Sequence, residues 1–246
     1  MSLTLHSSKN TVAIALLMNK KPKKIYLEND ENDDENDETK EIIFSKSENL
    51  LPYFDPNKSY RIFISGSTGS GKTVLCEKIL ATSFKHVEHI YLFSSIADAD
   101  YSKFGEKIVH IDIEDFEDNF PDIDIYEFIE DNSVVIFDDI LSYRKNKPYI
   151  DLRSRFISTG RHRGISTICI EQQCMNMTKT RDVLLNCEIY IFFPNSSYRS
   201  YVKCATEYLG LPKNKIEMLG SKKSRWIAFN KVFPMYAVLE HSIYIC

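Results

Sequence analysis

From Arg61 the chain reads Arg-Ile-Phe-Ile-Ser-Gly-Ser-Thr-Gly-Ser-Gly-Lys-Thr-Val, and Gly66 to Thr73 match the pattern G-x-x-x-x-G-K-[ST] in full. Each residue type in that pattern suits a polyphosphate. The glycines let the backbone curl until successive amide N–H groups point inward, and the helix that follows offers its positive end. The Lys72 amine reaches the β- and γ-phosphates, and the Thr73 hydroxyl holds Mg²⁺. Gly66, Ser67, Thr68, Gly69, Ser70, Gly71, Lys72, Thr73 and Val74 are therefore the candidate nucleotide-binding residues, with ATP and Mg²⁺ as expected ligands.

Two further stretches carry chemistry. Ser133-Val-Val-Ile-Phe-Asp138-Asp139 is an apolar run ending in paired acids, about 65 residues beyond the glycine loop. At the tip of a strand Asp138 can bind Mg²⁺ opposite Thr73, and Asp139 can orient and polarise an attacking water. The second stretch runs from Ser158 to Gln173 and contains Gly-Arg161-His162-Arg163-Gly164, then an apolar run ending in Glu171-Gln172-Gln173. At the carboxyl edge of a sheet the Gln172 amide lies where it can sense a γ-phosphate or position water. Arg161 and Arg163 are too polar for a core. Either one acts as an arginine finger on a neighbouring subunit's nucleotide, with Arg161 preferred, or both contact a phosphodiester backbone.

These residues need a frame. Six apolar runs read as strands, Arg61–Ser65, His89–Phe93, Lys107–Asp112, Ser133–Phe137, Ser166–Ile170 and Glu188–Phe193. Between them Lys72–Phe84, Ile125–Glu130, Tyr149–Ser158, Lys179–Asn186 and Ser197–Leu209 read as helices. Such alternation predicts an α/β fold with a mainly parallel central sheet and helices on both faces. After Leu211-Pro212 a short helix and two strands, Arg225–Phe229 and Val232–Val238, are expected as a terminal hairpin or edge. Upstream, Val12 to Leu17 reads as one strand or short helix, and Ile42 to Phe44 as an edge strand. The domain division predicted is an N-terminal extension over residues 1–57 and a nucleotide-binding domain over 58–246.

Composition narrows the class. An apolar share of 43% and a charged share of 27% over 246 residues suit a soluble globular chain. Residues 28–41 hold nine acids against one lysine, a local charge of −8 that against the net −4 leaves the remainder at +4. That tract is expected to be disordered, and the mildly basic remainder is compatible with a polyanionic partner. Cys76, Cys169, Cys174, Cys187, Cys204 and Cys246 form no C-x-x-C pair and read as reduced core residues of a cytosolic protein. His86 and His89 could pair on a helix turn, but no Cys or acid completes a ligand set. No apolar run approaches the roughly 20 residues that span a bilayer, and no signal peptide is expected.

The set G-S-T-G-S-G-K-T, V-V-I-F-D-D and T-G-R-H-R-G-I-S-T-I-C-I-E-Q-Q resembles the genome-packaging ATPases of large DNA viruses and virophages, within the FtsK–HerA superfamily of DNA-pumping motors. The order of strand with Asp-Asp, then Gly-Arg-His, then a strand ending in Gln is similar to the poxvirus-type branch, and Arg181 to Cys187 resembles the segment that follows. The resemblance covers roughly Tyr60 to Phe193. It implies a RecA-like P-loop core in which the Gln172 strand lies between the loop strand and the Asp138 strand. It further implies a homo-oligomeric ring, hexameric in that family, that drives double-stranded DNA into a preformed capsid at a vertex or portal component. The setting it implies is the host cytoplasm, in a viral factory, and the virion. Phosphate binding by Lys72 and Thr73, Mg²⁺ at Asp138, and γ-phosphate sensing by Gln172 carry over residue by residue. Asp139 stands where many relatives have the longer Glu. Three other readings use the same loop: a small-molecule kinase, a structural protein locked by nucleotide, and a related DNA pump in another role.

Overall fold

Within the all-apolar strands a finer alternation decides which face each side chain takes. In the computed structural model, which describes residues 1–19, 21–28, 40–94, 101–142, 147–174 and 179–246, aliphatic and aromatic residues separate strand by strand. Ile62, Ile64, Ile90, Leu92, Val134, Ile136, Ile168, Ile170, Ile189 and Ile191 pack on one face of the sheet, and Phe63, Tyr91, Phe93, Val135, Phe137, Cys169, Tyr190 and Phe192 on the other. A period of two inside an apolar run thus sorts two cores. Most of the acidic tract lies outside the described residues.

The chain begins with β1 (Ser2–Thr4), β2 (Thr11–Met18), β3 (Lys23–Glu28), β4 (Lys40–Ile43) and β5 (Asn49–Pro52). Then come β6 (Arg61–Ser65), α1 (Lys72–Ser83), β7 (Ile90–Ser94), β8 (Ile108–His110), α2 (Ile113–Asn119), α3 (Ile125–Phe128) and β9 (Val134–Asp138). The second half holds α4 (Lys147–Thr159), β10 (Ser166–Glu171), α5 (Arg181–Asn186), β11 (Ile189–Phe192), α6 (Tyr198–Leu209) and α7 (Lys213–Gly220). It closes with β12 (Ile227–Asn230), β13 (Tyr236–Leu239) and β14 (Ser242–Ile245).

Ten strands form one sheet in the order β4-β14-β13-β12-β11-β6-β10-β9-β7-β8. From β11 to β8 every pairing is parallel, with Arg61 to Ser65 of β6 beside Thr167 to Glu171 of β10. The strand ending before Gln172 does lie between the loop strand and the Asp138 strand. On the other side β12, β13, β14 and β4 continue the sheet antiparallel, and β4 supplies the edge strand expected near Ile42. The six parallel strands therefore end together at one edge, where a doubly wound sheet collects its functional loops.

Helices α2 to α7 contribute Ile113, Tyr126, Phe156, Val183, Tyr201 and Ile216 to the aromatic core. The aliphatic core is closed by α1 and by a second, four-stranded antiparallel sheet, β1-β3-β2-β5. Ile14, Leu16 and Leu51 of that small sheet are buried in the same cluster as Ile62 and Leu75. Five elements here were not expected from sequence, the short strands β1 and β5 among them. β3 is half exposed and carries two lysines, α2 is a short acidic helix capped by Asp112, and β14 follows a tight reversal. None has the long apolar period that marks an element by itself. Among the described residues no helix is long and apolar enough to cross a membrane.

Candidate active site

The glycine loop spans the gap between β6 and α1. Gly66 is buried at its start, and a Cβ there would meet the Ser70 Oγ at 2.7 Å and the Phe193 Cβ at 2.8 Å. Gly71 caps α1 at φ 97°, a conformation strained for any side chain. Helix α1 has no side-chain cap bond and no acid in its first turn, so its positive end stays open above the loop. The Ser67 N–H donates to the Ser196 Oγ at 3.0 Å and the Gly66 N–H to the Glu171 carbonyl at 3.3 Å, tying the loop to the turn after β11 and to the end of β10. The Ser70 Oγ is buried with no hydrogen-bond partner. Thr68 and Gly69 are exposed at the tip, Thr73 is half-buried, and Val74 is exposed.

Lys72 is buried, and its Nζ donates to the Gly66 carbonyl at 2.8 Å and the Ser67 carbonyl at 3.0 Å. Burial pulls its pKa down, against the charges of Asp138, Asp139 and Glu171. Those acids stand on the next strands of the same edge. Asp138 ends β9, and its Oδ2 accepts from the Tyr101 hydroxyl at 3.2 Å. Burial pushes the Asp138 carboxyl up to about 6, while the Tyr101 bond and Lys72 pull it down and Asp139 pushes it further up. Asp139 turns the chain at φ 53°, with its N–H bonded to the Ile170 carbonyl at 2.9 Å. Asp is among the few residues that accept that left-handed geometry. Its Oδ2 accepts from the amide Nε2 of Gln172, which is exposed just past β10.

Lys72, Asp138, Asp139 and Gln172 are thus gathered at the carboxyl edge of β6, β10 and β9, as the motifs predict. The site fits a nucleotide triphosphate and Mg²⁺. An uncapped helix end, a cradle that excludes a Cβ and an unpartnered Ser70 hydroxyl suit phosphate. A hydroxyl at Thr73 and a carboxylate at Asp138 suit a small hard cation that keeps several waters. Among the described residues no group of three His, Cys, Asp or Glu forms a metal cage.

Arg161 is not part of this gathering. It is exposed in the 3₁₀ turn Gly160–Arg163 that precedes β10, and lines a cavity of about 650 Å³ with His86, His89 and Asn132 at the amino edge of the strands. The six residues of β10 intervene, which at about 3.3 Å per residue is roughly 20 Å. Arg163 is engaged structurally. Its Nε donates to Asp131 at 2.7 Å, its other nitrogens to the Tyr126 and Ile129 carbonyls, and its guanidinium lies 4.9 Å from the Tyr126 ring centre. Elsewhere on the surface Lys222 pairs with Glu41 and Arg225 with Glu240, and Lys147 opens α4.

Sequence reasoning missed three supports. Tyr101, 37 residues before Asp138, sits in no motif. Ser196, at the loop's flank, is one serine among several. The third is a wholly buried ion pair, Arg153 Nη1 to Glu171 Oε1 at 2.7 Å, binding α4 to β10. A carboxylate closing an apolar strand was the available signal for this pair, because such a charge needs a partner.

A family model described as Poxvirus A32 protein matches residues 54–191. The uncharacterized protein V3 of Sputnik virophage is 28% identical over 231 residues, spanning 90% of this chain and 89% of that one. Among solved structures, the genome packaging NTPase B204 of Sulfolobus turreted icosahedral virus 2, in complex with sulfate, superposes with a TM-score of 0.52 at 18% identity, over 76% of this chain and 97% of that one. The pCW3 conjugation coupling protein TcpA, in its monomer form with ATPγS, gives a TM-score of 0.56 at 14% identity, over 94% and 77%. At such identities the two structures speak for the fold.

Proposed function

Because the chain belongs to the poxvirus A32 protein family, as its matched residues 54–191 show, we propose that it is an ATPase subunit of a viral genome-packaging motor, which hydrolyses ATP to drive double-stranded DNA into a preformed capsid. The observation that carries this reading is the meeting of Lys72, Asp138, Asp139 and Gln172 at one sheet edge around an open phosphate loop. A kinase needs an acceptor pocket there, and a nucleotide-locked scaffold needs no acid pair.

In this mechanism the loop amides from Gly66 to Thr73 and the end of α1 hold the phosphates. Thr73 and Asp138 would hold Mg²⁺, which when bound draws charge from the terminal phosphates. Lys72 exchanges its two carbonyl partners for phosphate oxygens and offsets the charge that develops in the transition state. Asp139 aligns the water in line with the γ-phosphorus, and Gln172, bonded to Asp139, holds that carboxylate in position and registers the γ-phosphate. Arg161 completes a neighbouring subunit's site in a ring of copies, hexameric by analogy with the wider superfamily. Release of Gln172 after hydrolysis shifts the loops that grip DNA. Because that grip is on phosphate, it is independent of sequence and weakened by salt. A capsid vertex or portal component is the docking partner, and the viral factory in the host cytoplasm the place of work.

Steady-state hydrolysis with and without long double-stranded DNA tests the reading. Turnover should rise with DNA, and the stimulation should fade as salt is added. Lys72→Ala should lower turnover by about a hundredfold or more. Near-normal turnover in that variant would overturn the site. Hydrolysis indifferent to DNA would leave the site standing and favour an assembly role locked by nucleotide.

A further inference from the structure

Two surfaces on the aromatic side of the large sheet carry opposite charge. Residues 111–131, which hold α2 and α3, contain ten acids and no Lys or Arg, a local charge of −10. Between α2 and β8 this stretch leaves a hollow of about 410 Å³, lined by Val109, Phe116, Phe120, Ile123 and Phe128 together with Asp115. Phe120, Ile123 and Phe128 are each about half exposed, at 51%, 47% and 46%. The Phe116 ring braces two of them, 5.3 Å from Phe120 and 5.2 Å from Phe128. Exposed apolar side chains gathered inside a charged rim mark a protein contact. Because acids repel a phosphate backbone, the surface that fits here is a protein face both basic and apolar.

The chain carries such a face itself. Residues 198–225, which hold α6 and α7, contain seven Lys and Arg against two Glu, a local charge of +5. A groove of about 530 Å³ on these helices is lined by Tyr198, Arg199, Val202, Lys203 and Lys213. The two faces cannot meet within one molecule. Tyr201 of α6 packs on Phe192 of β11, whereas the acidic hollow abuts β8, five strand places away, which at about 4.8 Å each is roughly 24 Å. We propose that the α2–α3 face of one copy docks on the α6–α7 groove of the next. A contact between unlike faces repeats head to tail, and it closes a ring where the rotation between copies allows. It also suits the trans role of Arg161. Arg163 ties the Arg161 turn to α3 through the Tyr126 and Ile129 carbonyls, and Ser196, two residues before α6, holds the phosphate loop. Docking the two flanks therefore brings the finger-bearing side of one copy to the loop-bearing side of its neighbour. The proposal rests on the reading of the chain as a ring subunit and names the faces that build the ring.

Sedimentation of the full chain at low salt, with ATPγS and DNA, tests the docking. The wild type should form assemblies that loosen as salt is added. Asp115→Lys with Asp118→Lys, or Arg199→Glu with Lys203→Glu, changes exposed positions only. Each pair should weaken association by at least about tenfold, while a circular-dichroism spectrum like that of the wild type reports an intact fold. An equimolar mixture of the two variants should assemble again, because each reversed face then meets its reversed counterpart. Phe120→Ser, which alters no charge, should weaken association as well. Assembly indifferent to all three variants overturns the docking faces and spares the ring. Loss with no recovery in the mixture also overturns them, and so does an Arg199/Lys203 variant that assembles normally yet loses stimulation by DNA, which would assign the groove to DNA. A wild type that stays monomeric overturns ring and docking together and leaves the nucleotide site to its own test.

Discussion

Asp138 is a carboxylate held at a cost. Burial raises it to about 6 in the folded chain, from an ordinary value of 3.8, so between those values the native state keeps a proton that the unfolded state has lost. Stability contributed by this group must then fall as pH rises from about 4 to about 6, by about 3 kcal/mol at full ionisation. Urea denaturation of the metal-free chain in chelator, at pH 4.5 and pH 7, should show Asp138→Asn gaining on the wild type at the higher pH. Parallel behaviour of the two proteins would mean that the carboxylate is not strained in this way. The tension has a functional sense, because a cation opposite Asp138 would relieve it.

Helix α4 reaches the site without touching it. Arg153 is fully buried, pairs with Glu171 at 2.7 Å, donates to the Lys179 carbonyl, and lies 3.8 Å from Asp182. Burial pushes the Glu171 carboxyl up, and the permanently charged guanidinium pulls it back toward the ionised form. Since the Glu171 carbonyl also accepts the Gly66 N–H, this pair ties α4, β10 and the phosphate loop together. Arg153→Met should cost about 3–5 kcal/mol in denaturant titration, because it strands a buried charge. The double change Arg153→Met with Glu171→Met should recover most of that loss. A single-variant cost near that of an exposed pair, below about 1 kcal/mol, would show that α4 is held by packing alone.

At the scale of the whole molecule, the sheet separates Arg161 from its own phosphate loop by the length of β10. A finger role is therefore open to Arg161 only in trans. Arg161→Ala should leave ATP affinity within about twofold and cut turnover strongly, and mixed assemblies with a Lys72→Ala chain should regain activity. The finger-deficient chain supplies an intact loop and its neighbour an intact arginine. Assemblies that stay inactive at every mixing ratio would assign Arg161 to DNA contact or to the polar cavity it lines. Arg163, bound to Asp131 and two carbonyls, should instead affect stability when replaced.

The glycine loop, the acid pair and the strand ending in Gln172 were legible in sequence because each is local. A turn that excludes Cβ atoms or a buried strand that ends in charge leaves its mark within a few residues. The middle place of the Gln172 strand came with the family resemblance, whereas the places of the other parallel strands and the face each residue takes emerged only with the sheet. What only the tertiary structure decided is non-local. The Tyr101 bond to Asp138, the Arg153 pair, the opposite placement of Arg161 and the small sheet closing the aliphatic core all join segments tens of residues apart. None of these pairings has a period or spacing along the chain. The two buried pairs arise because burial in a shared core leaves a polar group one partner within reach.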